Sequence, residues 1–127
     1  SDPAAVQDGC LQAMRQLGHI DVLINNAAIA QQKLFTDITD ADWRRMMGVN
    51  LDGVFYCCRA VLPGMIRRKF GRILMVSSMW GQTGASCEVH YSAAKAGICR
   101  GTMLAATDIT PRAPSAICGR TWSSLPE

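Results

Sequence analysis

Two hydrophobic patterns follow one another at the start of the chain. The first is helical: Asp2 can cap a helix, Pro3 suits its first position, and Gly18 is a good terminator. Apolar residues recur between them every three or four positions, at Val6, Cys10, Ala13, Met14 and Leu17. Residues 21–25 then bring three consecutive apolar side chains without alternation. This run predicts a strand buried on both faces, as in a parallel sheet covered by helices.

A similar alternation of patterns continues along the chain. Residues 39–49 predict a helix, which Thr39 can cap and Asp42 can complete as a capping box. Residues 52–69 predict a second helix, bent at Pro63 and ended by Gly71. Its predicted buried stripe comprises Val54, Cys58, Val61, Leu62 and Met65, widened by Phe55 and Ile66.

Residues 73–76 form a second all-apolar run, which predicts another buried strand. The order helix, strand, helix, helix, strand predicts an α/β fold with two parallel strands joined by a right-handed crossover. A loop should cover residues 77–90, and a further helix should begin around Tyr91. Beyond about Met103 prolines and glycines break the pattern, and only residues 116–118 indicate a strand.

Composition narrows the class of protein. The chain has 127 residues, of which 49% are hydrophobic and 18% charged, so one globular domain is expected. The formal net charge of +3 is too small and scattered for a nucleic-acid-binding face. No apolar stretch is long enough to cross a membrane, and no cluster has metal-ligand spacing. The six cysteines include no CxxC pair, which favours a reducing cytoplasm over a disulfide framework.

Tyr91 and Lys95 are the first candidate for chemistry. They are four positions apart, so on a helix their side chains lie on one face, about one turn apart. An ammonium group beside a phenol favours the phenolate, which makes the phenol a better acid near neutral pH. The pair can therefore act as a general acid for a ketone or a general base for an alcohol. Pairs with this spacing also occur on ordinary helix surfaces.

Other polar residues are predicted to meet this pair at one edge of the sheet. Asn25-Asn26-Ala27-Ala28 closes the first predicted strand, and Ser77-Ser78 closes the second. Asn50 lies between the two predicted helices. Parallel α/β sheets bind ligands beyond the carboxyl ends of their strands. The serines could instead simply end a strand, and the asparagines could simply form a turn.

With these motifs the chain resembles the classical short-chain dehydrogenase/reductase family. The resemblance rests on Asn25-Asn26-Ala27-Ala28, Val49-Asn50, Val76-Ser77-Ser78 and Tyr91-Ser92-Ala93-Ala94-Lys95, in the order and spacing of the family. It covers residues 1–98, followed by a divergent tail over residues 99–127. It implies one domain, residues 1–127, with the central strands and helices of a Rossmann-like, doubly wound parallel sheet.

The resemblance also implies residue roles. Tyr91 would donate a proton to a ketone while NAD(P)H supplies hydride, and Lys95 would tune Tyr91 and bind the nicotinamide ribose. Ser78 would hold the carbonyl, and Asn50 would position a water that relays protons to Lys95. Asn25, Asn26, Ala27 and Ala28 would lie against the cofactor, with Ala28 in place of the usual glycine. Trp80 and Gln82 could line the substrate pocket or merely pack the loop.

The implied reaction is reduction of a small or carrier-bound ketone, such as a 3-oxoacyl thioester, in a bacterial homodimer or homotetramer. NADPH is favoured over NADH, although the residues that choose between them precede Ser1 in the family. The run Ser77-Ser78-Met79-Trp80-Gly81-Gln82 also resembles the reductase of 5-aminopentanone-modified elongation factor P. A non-catalytic remnant or interaction subunit is the competing class.

The family's glycine-rich dinucleotide motif has no counterpart in this sequence. A truncated gene model would explain this. A sheet without its neighbouring strands exposes open edges. We therefore expect the 127-residue chain alone to be marginally stable and to bind NAD(P)H poorly.

Overall fold

The computed structural model describes residues 2–104. Five helices and two strands appear there in the order α1 (Pro3–Leu17), β1 (Val22–Asn25), α2 (Asp40–Met47), α3 (Gly53–Arg68), β2 (Arg72–Met75), α4 (Trp80–Thr83) and α5 (Val89–Leu104). A 3₁₀ turn spans Phe35–Asp37, and a π-helical turn spans Gly48–Asp52. β1 and β2 are parallel, with Leu23 opposite Ile73. The α/β architecture is thus confirmed, while the strand predicted over residues 116–118 lies outside the described residues.

Local sequence determines where the first two long helices begin. The Asp2 carboxylate accepts a hydrogen bond from Ala4 N at 2.9 Å, and Pro3 occupies the first helical position of α1. In α2 the Thr39 hydroxyl accepts from Asp42 N at 3.1 Å, and the Asp42 carboxylate accepts from Thr39 N at 3.0 Å. The cap residue and the third helical residue thus satisfy each other's backbone N–H, so the predicted capping box is confirmed.

The core lies between α3 and one face of the sheet. Its buried side chains are Val54, Cys58, Val61, Met65, Ile73 and Ile98, with Cys10, Ile20, Leu23, Leu51, Leu62 and Met75 packed around them. The prediction that Phe55 and Ile66 widen the buried stripe of α3 is wrong, because both are more than half exposed. Each follows a buried position by one residue, about 100° around the helix, and two strands offer too narrow a surface to cover both directions.

The opposite face of the sheet is open within the described residues. Val22 is 51% and Ile24 59% exposed, and Leu74 on β2 and Val76 directly after it are also exposed. The prediction that both strands are buried on both faces is therefore wrong for this part of the chain. The physical reason is that α1, α3 and α5 all contribute to one core on the same side.

The end of α3 differs from the prediction. Lys69, not Gly71, ends the helix: it adopts the left-handed conformation at φ 54° and donates its N–H to the carbonyls of Ile66 and Met65. Gly71 has another use, because a Cβ there would lie 2.5 Å from Met65 Cγ. In the segment predicted as a loop, α4 covers four residues, and α5 begins at Val89, two residues before Tyr91.

Candidate active site

The two strands end side by side. β1 ends at Asn25 and β2 at Met75, and Val76 N donates to Asn25 O at 3.0 Å just beyond the last strand pair. The chain therefore leaves the sheet at one edge in both places, as predicted from the order of elements. Asn25 is buried and its Nδ2 donates to Cys58 Sγ at 3.4 Å, whereas Asn26, Ala27 and Ala28 are exposed at that edge.

Hydrogen bonds join the end of β2 to the middle of α5. Ser77 Oγ donates to Lys95 O at 2.8 Å and accepts from Cys99 Sγ at 2.9 Å. Lys95 Nζ donates to Val76 O at 2.8 Å. The first serine of the Ser77-Ser78 pair thus holds the backbone of α5, and the side chain of Lys95 returns to the strand from which that serine comes.

Tyr91 and Lys95 lie on the same helix face, as their spacing predicts. Lys95 Nζ is 5.8 Å from the centre of the half-buried Tyr91 ring. Lys95 is only 3% exposed, and this burial lowers its pKa because the charged amine loses water. An ammonium group has three hydrogens, and within the described residues Val76 O is the protein acceptor it contacts. Two hydrogens remain to bind polar groups of a ligand.

Ser78 begins the segment that leads into α4. It is half-buried, and its Oγ accepts a hydrogen bond from Trp80 N at 3.3 Å. Because the hydroxyl acts as the acceptor in this contact, its hydrogen stays available for a ligand oxygen. Trp80 and Gln82 follow on α4, both with exposed side chains beside this position in the sequence.

A close approach between α4 and α5 requires a glycine. A Cβ on Gly81 would lie 2.7 Å from Lys95 C and 2.9 Å from Ala96 N. Both are backbone atoms, so they cannot move aside as a flexible side chain could. The absence of a side chain at Gly81 therefore sets the distance between the Ser78 segment and the helix that carries Tyr91 and Lys95. A glycine in a segment predicted to be a loop gave no such signal in the sequence.

Asn50 lies fully buried in the π-helical turn between α2 and α3. Its Oδ1 accepts from Ile29 N at 2.9 Å, and its Nδ2 donates to Ile29 O at 2.8 Å and contacts Met46 Sδ at 3.0 Å. One amide therefore satisfies both backbone groups of Ile29. This contact anchors the exposed segment of Asn26, Ala27 and Ala28, which immediately precedes Ile29.

A polar network behind Tyr91 was missed by sequence reasoning. His90 is fully buried, and its Nε2 lies 3.1 Å from Gln31 Oε1. Gln31 Nε2 donates to Asp42 Oδ1 at 3.0 Å, and Lys33 Nζ donates to Asp42 Oδ2 at 2.7 Å. The hydrogen bond from Lys33, followed by those from Thr39 and Gln31, holds the pKa of Asp42 far below its ordinary value. Nothing in the spacing of these residues indicates that they meet.

The exposed edge suits a cofactor that brings a ribose and a nicotinamide. Asn26, Ala27 and Ala28 offer a small-residue surface there, and Lys95 offers unused ammonium hydrogens. In residues 2–104 no three His, Cys, Asp or Glu are placed to hold a metal ion. No helix in this part of the chain is long and apolar enough to cross a membrane.

Comparisons with known proteins agree with this arrangement. A family model described as short chain dehydrogenase matches residues 1–118. An acetoacetyl-CoA reductase of Rhizobium meliloti is 43% identical over 93 residues, which are 73% of this chain and 39% of that protein. A second one, from Cupriavidus necator, is 39% identical over 97 residues, or 76% and 39%. The 3-oxoacyl-(acyl-carrier-protein) reductase of Escherichia coli is 33% identical over 98 residues, or 77% and 40%.

The chain therefore spans about two-fifths of the length of the curated relatives it matches. The family match extends past residue 98 into the tail, whereas these pairwise matches cover 93 to 98 residues. The matched region contains every residue of the site described above. The chain belongs to the short-chain dehydrogenase family.

Proposed function

We propose that the protein containing this chain uses NAD(P)H to reduce the ketone of a 3-oxoacyl thioester to an alcohol in the cytoplasm. The observation that carries the proposal is the joining of the β2 end to α5 through Ser77, Val76 and Lys95. This brings the Ser78 segment and the Tyr91 helix to one edge of the sheet. The names of the relatives, acetoacetyl-CoA reductase and 3-oxoacyl-(acyl-carrier-protein) reductase, support the substrate class.

The proposed chemistry divides between cofactor and protein. The reduced nicotinamide, when bound, supplies the hydride to the carbonyl carbon. Tyr91 donates the proton to the carbonyl oxygen, so that the developing negative charge is neutralised as it forms. The Ser78 hydroxyl donates a hydrogen bond to the same oxygen and orients it. The Lys95 ammonium stabilises the phenolate that Tyr91 becomes.

The remaining residues hold the cofactor and the proton path. Asn25, Asn26, Ala27 and Ala28 support the nicotinamide side of the cofactor, and Lys95 hydrogen-bonds its ribose. Asn50 positions a water that supplies Lys95 with a new proton after Tyr91 has been reprotonated. The side-chain amide of Asn50 is already occupied by Ile29 and Met46, so we assign this water to the backbone carbonyl of Asn50. NADPH is the preferred cofactor in this proposal.

Trp80 and Gln82 form part of the proposed substrate pocket. Both side chains are exposed on the short helix that directly follows Ser78. The indole offers apolar surface to the acyl chain, and the Gln82 amide can hydrogen-bond the thioester carbonyl. The pair thus suits a substrate with a short apolar chain and a second carbonyl group.

We also propose that the protein is a homo-oligomer, with the α3 and α5 faces of two copies in contact. A groove of about 610 Å³ lies between these helices, and its lining is mostly apolar. Asp52 and Arg59 lie on its lining, and Phe55 beside them is 56% exposed. Around a two-fold axis, Asp52 of each copy can meet Arg59 of the other, which makes the surface self-complementary.

The oligomer is tested by light scattering after size exclusion. Phe55→Asp should give a smaller species, while Phe70→Asp, which changes an exposed phenylalanine outside the groove, should leave the mass unchanged. Equal masses for wild type and Phe55→Asp would contradict the proposed interface.

The reaction is tested by NADPH and NADH oxidation in the full gene product, with acetoacetyl-CoA as substrate. Tyr91→Phe removes only the acidic hydroxyl and should lower kcat about a hundredfold or more. Tyr56→Phe is the matched control, because Tyr56 lies on α3, where its ring packs edge-on against Phe55. A folded wild type with no activity would contradict the proposed function. Equal rates for Tyr91→Phe and wild type would remove Tyr91 from the mechanism.

A further inference from the structure

The helix turn that carries Tyr91 is the first turn of α5. His90 and Tyr91 are the second and third residues of α5. The N–H groups of a first helical turn have no intrahelical acceptors, so the turn depends on outside contacts for its position. A change of about 1 Å in the position of a reacting group can lower the rate roughly a hundredfold. Contacts that hold this turn therefore bear directly on the role proposed for Tyr91.

Three consecutive residues of the segment after Ala28 contact this region: Lys33 and Gln32 contact the two residues before α5, and Gln31 contacts the first turn of α5 itself. Lys33 N donates to Cys87 O at 2.8 Å, and Gln32 Nε2 donates to Glu88 Oε1 at 3.4 Å. Gln31 reaches His90 from the same segment. Of these three contacts, only the one from Gln31 is made to a fully buried side chain.

The network fixes the orientation of each group in it. The low pKa of Asp42 keeps its carboxylate ionised, so it can only accept hydrogen bonds. The amide nitrogen of Gln31 must therefore face Asp42, which leaves Oε1 facing His90. An amide oxygen accepts, so His90 must carry a hydrogen on Nε2. His90 Nδ1 is buried without a hydrogen-bond partner in this part of the chain, so the contact with Gln31 is the ring's polar anchor.

We propose that Gln31 is a positioning residue for Tyr91: it joins the His90 ring to the Asp42 carboxylate and so fixes the first turn of α5. This inference rests on the proposed function. The segment of residues 25–28, which we propose holds the cofactor, is anchored separately, because the Asn50 amide binds both backbone groups of the following residue, Ile29. A change at Gln31 should therefore disturb proton donation and leave cofactor binding intact.

The test compares two identical substitutions at adjacent positions in the full gene product. Gln31→Leu keeps the size of the side chain but removes both hydrogen bonds, and should lower kcat with acetoacetyl-CoA about ten- to a hundredfold. The KM for NADPH should change less than about threefold, since the anchor of the cofactor segment remains. Gln32→Leu removes only an exposed contact and should retain kcat within about twofold.

The outcomes separate this inference from the proposed function. An inactive wild type overturns both, whereas an active wild type with an unaffected Gln31→Leu overturns the positioning role alone. A role in stability only would lower the melting temperature and leave kcat per folded molecule unchanged, which also contradicts the inference.

If Gln31→Leu does not fold, nitrogen-15 NMR of the wild-type imidazoles tests the same network. We expect His90 to show a slowly exchanging hydrogen on Nε2 and none on Nδ1. The opposite tautomer, or a rapid average of the two, would overturn the arrangement of Gln31 and therefore the inference.

Discussion

Replacing Gly81 by alanine tests whether the contact between α4 and α5 sets the geometry of the site. The added Cβ would lie 2.7 Å from Lys95 C, where ordinary contacts begin at 3.4 Å, so the backbones must separate by about 0.7 Å. Overpacking of this kind costs about 1–3 kcal/mol of unfolding free energy. Because the displaced segments carry Ser78 on one side and Lys95 on the other, kcat should also fall about ten- to a hundredfold.

The assay combines urea unfolding with NADPH oxidation on acetoacetyl-CoA. Gly9→Ala is the matched control: Gly9 lies within α1, and a Cβ there meets nothing within 4 Å. Alanine is the better helix former, so this control should gain about 1 kcal/mol and keep its activity. If Gly81→Ala matched wild type in both stability and kcat, the proposed contact between the two helices would not determine the site.

Three further predictions concern buried or paired polar groups. Asp42→Asn should lower the free energy of unfolding at neutral pH. Because folding lowers the pKa of Asp42 from 3.8, the difference in unfolding free energy from wild type should shrink as the pH falls below about 4. A constant difference between pH 7 and 3 would contradict this. Asn50→Leu should lower the unfolding free energy by about 2 kcal/mol or more by leaving Ile29 N and O unpaired, and an unchanged urea midpoint would refute that anchor. Lys95→Met should abolish reduction yet raise the melting temperature at pH 7, because burial in the folded state disfavours the charged amine. This gain in stability should vanish as the pH approaches 10.5, where the amine loses its charge in the unfolded state as well. A lower melting temperature for Lys95→Met at pH 7 would contradict this prediction.

Local signals in the sequence predicted the helix starts and the order of elements. Asp2 and Thr39 act through hydrogen bonds to residues two or three positions away, so their effect is readable from a short stretch of sequence. The same holds for Tyr91 and Lys95, whose placement on one helix face follows from helical geometry alone.

Features that depend on distant residues could not be predicted in this way. The continuous apolar run of β1 indicated burial on both faces, yet Val22 and Ile24 are exposed, because burial depends on which elements cover the sheet. Lys69, and not the predicted Gly71, ends α3, because its left-handed conformation lets its N–H reach the carbonyls of Ile66 and Met65. Gly71 instead makes room for the Met65 side chain, a contact that no local pattern reveals. The pairing of His90 with Gln31 joins residues 59 positions apart, and no local pattern encodes it.

The central claim is that hydride from a nicotinamide and a proton from Tyr91 meet on a ketone at the carboxyl edge of the sheet. Mass spectrometry of the product tests it, with acetoacetyl-CoA as substrate and NADPH fully deuterated at C4 of the nicotinamide. We predict that the wild-type full gene product yields 3-hydroxybutyryl-CoA heavier by one deuterium, and that Tyr91→Phe yields almost none in the same time. Product without deuterium, or equal yield from Tyr91→Phe, would contradict the account.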